Sequence, residues 1–134
     1  MASPELELQG AIVQRLKADA TLTALVGGRI YDLVPETRVF PYVSIGPVDS
    51  IYDDAECITG LEVAQQLDVW SRETGFPECK LIVDAVRVAL HDAELDLPTN
   101  ALVYLACRQA RTYRDPDGLT SHGALSFEAS IERR

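Results

Sequence analysis

Residues 113–131 read YRDPDGLTSHGALSFEASI, and this stretch holds either a metal or catalytic loop or the turn between two strands. Its centre, Asp115-Pro116-Asp117-Gly118, places proline where a tight turn uses its fixed φ and glycine where a positive φ is needed. After it, Leu125, Phe127, Ala129 and Ile131 alternate with Ser126, Glu128, Ser130 and Glu132, the period of a strand covered on one face. Before it, residues 101–114, ALVYLACRQARTYR, form a second strand pattern, with Val103, Leu105 and Cys107 expected on one face. Two long strand patterns joined by a tight turn predict an antiparallel hairpin. Gly123, at the start of the returning strand, marks a bulge or a close backbone approach. As a calcium loop the stretch falls short: only two acids precede Gly118, and Ala124 stands where the bidentate glutamate belongs.

Working toward the N-terminus, residues 78–91 predict the strongest helix. Lys80, Asp84, Arg87 and His91 form one narrow polar stripe, and Leu81, Ile82, Val83, Val86, Val88 and Leu90 cover the remainder, so the helix should be clamped by its sheet and by something else. Residues 61–71 alternate as a strand, with Leu61, Val63, Leu67 and Val69 inward and Gln65 breaking that row; Trp70 lies on the opposite face. Residues 47–60, PVDSIYDDAECITG, predict a long, exposed, acidic loop or splayed hairpin arm. Residues 29–34 and 40–46 predict short strands. At the start, Ser3-Pro4 with Glu5 and Glu7 signals a helix N-terminus, and Leu8, Ile12 and Leu16 follow at helical spacing to about residue 18. Asp19 caps a short second helix, ATLTALV, that Gly27-Gly28 ends.

These elements predict one α+β domain spanning 1–134: a mostly antiparallel sheet of about four to five strands with two main helices packed on one face. The chain of 134 residues is long enough to bury a proper core. Apolar residues make up 47% and charged residues 25%, the balance of a soluble globular chain rather than a disordered one. No apolar run is long enough to span a bilayer, and MASPELELQG has no basic region ahead of an apolar one, so a soluble protein made in a cytoplasm is expected, with no membrane partner. Cys57, Cys79 and Cys107 are odd in number and widely spaced, which disfavours a disulfide framework or zinc site.

The net charge of −9, from 21 acids against 12 bases, argues against a groove that grips phosphates. It is compatible with a surface past which DNA slides. The two histidines, His91 and His122, are the available bases for a nucleophilic triad; His91 falls on a solvent stripe, and no G-x-S-x-G elbow accompanies either. Gly27-Gly28 lacks the phosphate-loop spacing. Asp53 and Asp54 lie in a loop with no apolar pocket to shift a pKa. No enzyme, cofactor or metal is therefore expected. Interaction chemistry remains: the over-apolar helix, Trp70, Tyr52 within the acidic loop, and the sheet edges.

Taken in order, LQGAIVQRLKADATLTALVGGRIYDLVP, PYVSIG, LDVWSRETGFPECKLIVDAVRVAL and YRDPDGLTSHGALSFEASIE resemble the DUF3168 family, the tail-completion or tail-terminator proteins of long-tailed phages, prophages and gene transfer agents. The resemblance covers nearly the whole chain. It implies a subunit of a hexameric ring at the head-proximal end of a tail tube, assembled in a bacterial cytoplasm, with tail tube protein and head-connector or stopper protein as partners. DNA would pass through its channel without specific binding. A connector or stopper ring and a small non-catalytic binding module are the alternatives. The resemblance brings no catalytic residue. The expected interface residues are Asp49, Ile51, Tyr52, Asp53, Asp54 and Glu56 in the acidic loop, Trp70, and Asp115 and Asp117 at the hairpin tip.

Overall fold

The computed structural model describes residues 3–54 and 59–134, and of Asp54 the backbone alone. Glu56 and Cys57 lie outside the described residues. Within these limits the order is α1 (Pro4–Ala18), α2 (Ala20–Val26), β1 (Ile30–Tyr31), β2 (Tyr42–Asp54), β3 (Thr59–Ser71), α3 (Pro77–Leu90), β4 (Ala101–Arg114) and β5 (Ser121–Glu132). The strands form one sheet in the order β1-β2-β3-β5-β4. All pairings are antiparallel except β1 with β2. The α+β expectation holds.

Local chemistry sets the helix ends. Ser3 Oγ accepts from the Leu6 N–H at 3.3 Å, and Pro4 follows without losing a bond. Asp19 closes α1 and opens α2, its carboxylate accepting from the Leu22 N–H at 2.9 Å. Gly27, at φ 61°, ends α2 in the left-handed region that favours glycine.

The core lies between the helices and one face of the sheet. Leu8, Ile12 and Leu16 of α1, Leu22 and Val26 of α2, and Ile82, Val86 and Leu90 of α3 meet Val63, Leu67 and Val69 of β3 and Leu125, Phe127 and Ile131 of β5. Burying each of the larger side chains contributes about 1.5–3 kcal/mol. Gly123 lets α3 approach: a Cβ there would fall inside the van der Waals shell of Val83 Cγ2 and 3.3 Å from Cys79 Sγ. The close approach, rather than a bulge, accounts for this glycine, and β5 pairs regularly through it. The further clamp expected on α3 is in part α1 and α2, which pack on it; Leu81 and Val88 stay exposed.

Three expectations change and one is narrowed. The strand at 29–34 shrinks to Ile30–Tyr31, since Asp32 is a poor strand former and Pro35 lacks a ladder donor. Of the two forms expected for the acidic segment, loop or hairpin arm, it takes the second: it is the distal half of a long hairpin, paired from Val48↔Gln65 to Asp54↔Thr59. A bulge between Ile45 and Val48 accommodates Pro47. Gln65 is buried against it, donating to the Gly46 carbonyl at 3.1 Å and the Gln66 carbonyl at 2.8 Å. The break in the inward row of β3 is thus the group that satisfies the bulge. In β4, a register shift between Leu102 and Tyr104 turns Val103 out of the row that Leu105 occupies: Val103 is 62% exposed and Leu105 fully buried. Finally, His91 keeps 36% of its side chain exposed, as a stripe residue would, but it also has a structural role. It ends α3, and its Nδ1 accepts from the Cys107 N–H at 3.0 Å, tying the helix end to β4.

Candidate assembly surfaces

Among the described residues the helices gather on one face, and the other face of the sheet carries no helix. Register places Tyr42 opposite Trp70, Trp70 opposite His122, and His122 opposite Tyr113. Rings therefore run side by side across β2, β3, β5 and β4 near one end of this face, with centroids 6.3, 3.8 and 4.8 Å apart. Tyr31 of β1 extends the row, 5.9 Å from Tyr42. Such cross-strand pairs stabilise a sheet by about 0.2–1 kcal/mol each. The indole Nε1 donates to Ser44 Oγ at 2.9 Å. His122 Nε2 donates to the Asp68 carboxylate at 2.6 Å, both residues being buried, and Gln66 Nε2 supplies a second donor to the same oxygen at 2.9 Å. Trp70 thus sits on the helix-free face as expected, half-buried in its own row.

Beside the row lies a cleft of about 350 Å³, bordered by Phe40, Tyr42, Trp70, Arg72, Asp115 and Asp117 among others. Arg72 stacks on Phe40 at 4.3 Å and approaches Asp117 at 3.8 Å. The hairpin tip forms one wall. The Gly118 N–H donates to the Asp115 carbonyl at 3.0 Å, and Gly118 adopts φ 72°. Asp117 builds the tip rather than simply decorating a rim. Its carboxylate accepts from the Thr120 hydroxyl at 2.7 Å and from the Leu119 and Thr120 N–H groups at 2.8 and 2.9 Å. The Thr120 hydroxyl first, then these N–H groups, hold its pKa below the ordinary value.

At the opposite end of the sheet the distal half of β2 is a free edge among the described residues, an arm paired to β3, which β5 backs as far as Gly60. Ile51 is 73% and Tyr52 56% exposed. Asp49, Ile51 and Asp53 pair with Ala64, Glu62 and Gly60 on the helix-free side, whereas Ser50 and Tyr52 pair with Val63 and Leu61 on the helix side. Ser50 Oγ donates to the Glu5 carboxylate, fastening the arm to α1. Tyr52 lies under the Arg133 guanidinium at 5.9 Å. The structure therefore separates the expected interface residues into two groups: Asp49, Ile51, Tyr52 and Asp53 on the arm, and Trp70, Asp115 and Asp117 around the cleft.

Between the two groups the helix-free face is polar. Tyr104 donates to Glu128 and, at 3.1 Å, to Glu62, while Arg108 Nε lies 3.3 Å from Glu128. The Glu128 carboxylate beside it pushes the Tyr104 phenol up to about 12, and Glu128 itself is held low by that phenol and by Arg108. Burial pushes the Cys79 thiol up to about 11, the wrong direction for a nucleophile. Among the described residues no three His, Cys, Asp or Glu side chains converge to hold a metal, and no helix is long and apolar enough to cross a membrane. Sequence reasoning missed Tyr42, Tyr113, Asp68 and His122 as one constellation, because only the strand register brings them together.

The family described as tail completion protein gp17 matches residues 10–132. The chain belongs to this family. Membership makes it a tail-completion protein, a component of a phage-like particle. A chain in the solved structure of a native gene transfer agent virion is similar to this tail-completion protein at 33% identity, with a TM-score of 0.91 over 98% of this chain and 99% of that one. No curated protein matches it. The expected resemblance is met over nearly the whole length, tip and arm included.

Proposed function

We propose that this tail-completion protein is a non-catalytic structural subunit whose copies form a hexameric ring at the head-proximal end of the tail tube, joining tail to head connector around a DNA channel. The observation that carries the reading is its likeness, over 98% of its length, to a chain of an assembled gene transfer agent particle. Closed cyclic symmetry requires two different patches per subunit; the arm and the tip-side cleft are distinct surfaces at opposite ends of the sheet. The helix-free face suits a channel wall, since it is continuous across β2, β3, β5 and β4 and polar between arm and cleft. A hexamer multiplies the charge of −9, and such a wall lets the DNA backbone pass rather than stick. The arm and the tip, with Asp115, are assigned to contacts with neighbouring subunits or rings.

Electron microscopy of the purified protein mixed with tail tubes tests this. Rings, or tubes capped at one end and arrested in length, are expected. Tubes that keep growing, with a protein that never binds their ends, would sink the reading. A cap found on the head connector in place of the tube would favour the connector-ring alternative, and a neutral or basic lumen would remove the argument from charge.

A further inference from the structure

The two edges of the sheet are unlike, and together they describe a joint. On one side β1 pairs only with Val43 and Ser44 of β2, so beyond the bulge residues 48–54 present an edge with no strand beside it among the described residues. On the other side β4 is the last strand. The first half of its edge is capped, since the Leu105 carbonyl accepts from the Asp92 N–H at 2.8 Å and the Cys107 N–H donates to His91. Along residues 108–114 no further backbone cap is made among the described residues, and the Cys107 thiol lies 3.7 Å from the Gln109 carbonyl. The open segments are equal in length and opposite in charge: 48–54 carries Asp49, Asp53 and Asp54 with no base, and 108–114 carries Arg108, Arg111 and Arg114 with no acid. Among the described residues Asp49, Asp53 and Arg111 have no ion-pair partner within the chain.

We propose that copies of this protein join edge to edge, residues 108–114 of one copy adding as an antiparallel strand to residues 48–54 of the next. The inference deepens the ring reading above and rests on it. Strand sense follows from topology. β2 runs opposite to β3, β3 to β5 and β5 to β4, so β4 runs opposite to β2, and copies related by an axis along the sheet meet antiparallel. The register follows from the faces: with Arg111 opposite Ile51, the two segments coincide along their whole length. Arg111, Tyr113, Asp49 and Asp53 then share the helix-free face, and Arg111 lies diagonal to both aspartates, within reach of a long side chain.

Like edges repel and unlike edges attract, which selects head-to-tail closure over two-fold pairing. Within one copy Arg111 is level with Ser44, through Ala124 and Asp68. Each joint therefore steps from the level of Ser44 to that of Ile51, six residues on the unbulged β3 and about 20 Å at roughly 3.3 Å per residue, the stagger that tilts strands in a closed barrel.

The test is charge reversal and cross-linking in the full chain, with far-UV circular dichroism as the control for folding. Arg111→Glu and Asp49→Arg/Asp53→Arg should each raise the concentration needed for ring assembly about ten-fold or more. Combining all three changes in one chain should restore it, because every joint then holds the swapped pair. Independently, in a chain with Cys57 and Cys107 replaced by alanine, Ile51→Cys with Arg111→Cys should give an oxidant-dependent ladder of covalent oligomers that neither single variant gives. Rings that assemble normally in both reversal variants and yield no ladder overturn the edge assignment and leave the ring reading standing. Dimers from Ile51→Cys alone mean like edges pair, and also overturn it. A wild-type chain that stays monomeric at every concentration, tubes present, overturns the ring reading and this joint together.

Discussion

The Trp70 indole stacks on the His122 imidazole at 3.8 Å and 17°, and that same imidazole donates to Asp68 at 2.6 Å. The contact couples the chain's one tryptophan to a buried hydrogen bond, so its fluorescence reads the register of β3 on β5. Replacing His122 by alanine removes the stacking partner and leaves the buried Asp68 carboxylate with Gln66 as its remaining side-chain donor. We expect altered Trp70 emission and a stability loss of about 1–3 kcal/mol by denaturant unfolding. Unchanged emission and midpoint would show that the stack is not maintained in solution.

At Gly123 β5 and α3 approach too closely for a side chain. An alanine methyl would press on Val83 Cγ2 and approach Cys79 Sγ and Val69 Cβ at 3.3 Å. Gly123→Ala should therefore destabilise by about 1–3 kcal/mol through overpacking. Adding Val83→Ala should recover part of it, because the nearest clashing atom is then gone; a neutral single variant would mean that α3 sits further from the sheet.

Features set by neighbours in sequence were legible. Ser3, Asp19 and Gly27 each cap through residues at most four positions away, and the alternation of β3 and β5 needs only one covered face. Features set by partners distant in sequence were not. The arm stayed open between loop and hairpin because Pro47 and its acids oppose strand formation one by one; its pairing with residues 59–65 and the Gln65 side chain under the bulge decide for the hairpin. The displacement of Val103 comes from a bulge that no local signal marks. The aromatic row was invisible for the same reason: Tyr42, Trp70, His122 and Tyr113 belong to four strands, and only a fixed register lines them up. Glu7, read as a helix-dipole acid, proves also to bind the turn ahead of β4, accepting from the Thr99 N–H and hydroxyl and from the Asn100 backbone and side chain.

Of the three carboxylates held low, Glu7, Asp117 and Glu128, the first two each tie down a turn of backbone and should make the fold acid-sensitive. Glu7 is held below its ordinary value of 4.5, first by the Thr99 hydroxyl, and Asp117 below 3.8, first by the Thr120 hydroxyl. Because both folded-state values are lowered, their contribution to stability is fully present above the ordinary values and is lost as pH falls through the folded ones. Thermal melts should therefore stay level near neutrality and drop below about pH 4.5. Glu7→Gln and Asp117→Asn should each lower the neutral-pH melting temperature and shrink that acid-side drop. A drop of the same size in the double variant would assign acid lability to other groups.

The arm's attachment to α1 gives a prediction that separates folding from assembly. Ser50 Oγ donates to Glu5 across the helix side of the arm, far along the chain from its partner, while Ile51 and Tyr52 beside it remain largely exposed. An arm with few buried contacts opens at low free-energy cost, and this bond is one of the groups that resist opening. Ser50→Ala should reduce global stability by only about 1 kcal/mol. It should nonetheless speed amide exchange in residues 48–54 well beyond the change in β5, whose amides report global unfolding. If the arm supplies the edge that the next copy pairs with, the looser arm must be ordered on binding, so ring assembly should need a higher protein concentration. Equal acceleration of exchange in arm and core would show that the two open together and that the Ser50–Glu5 bond is not a local latch.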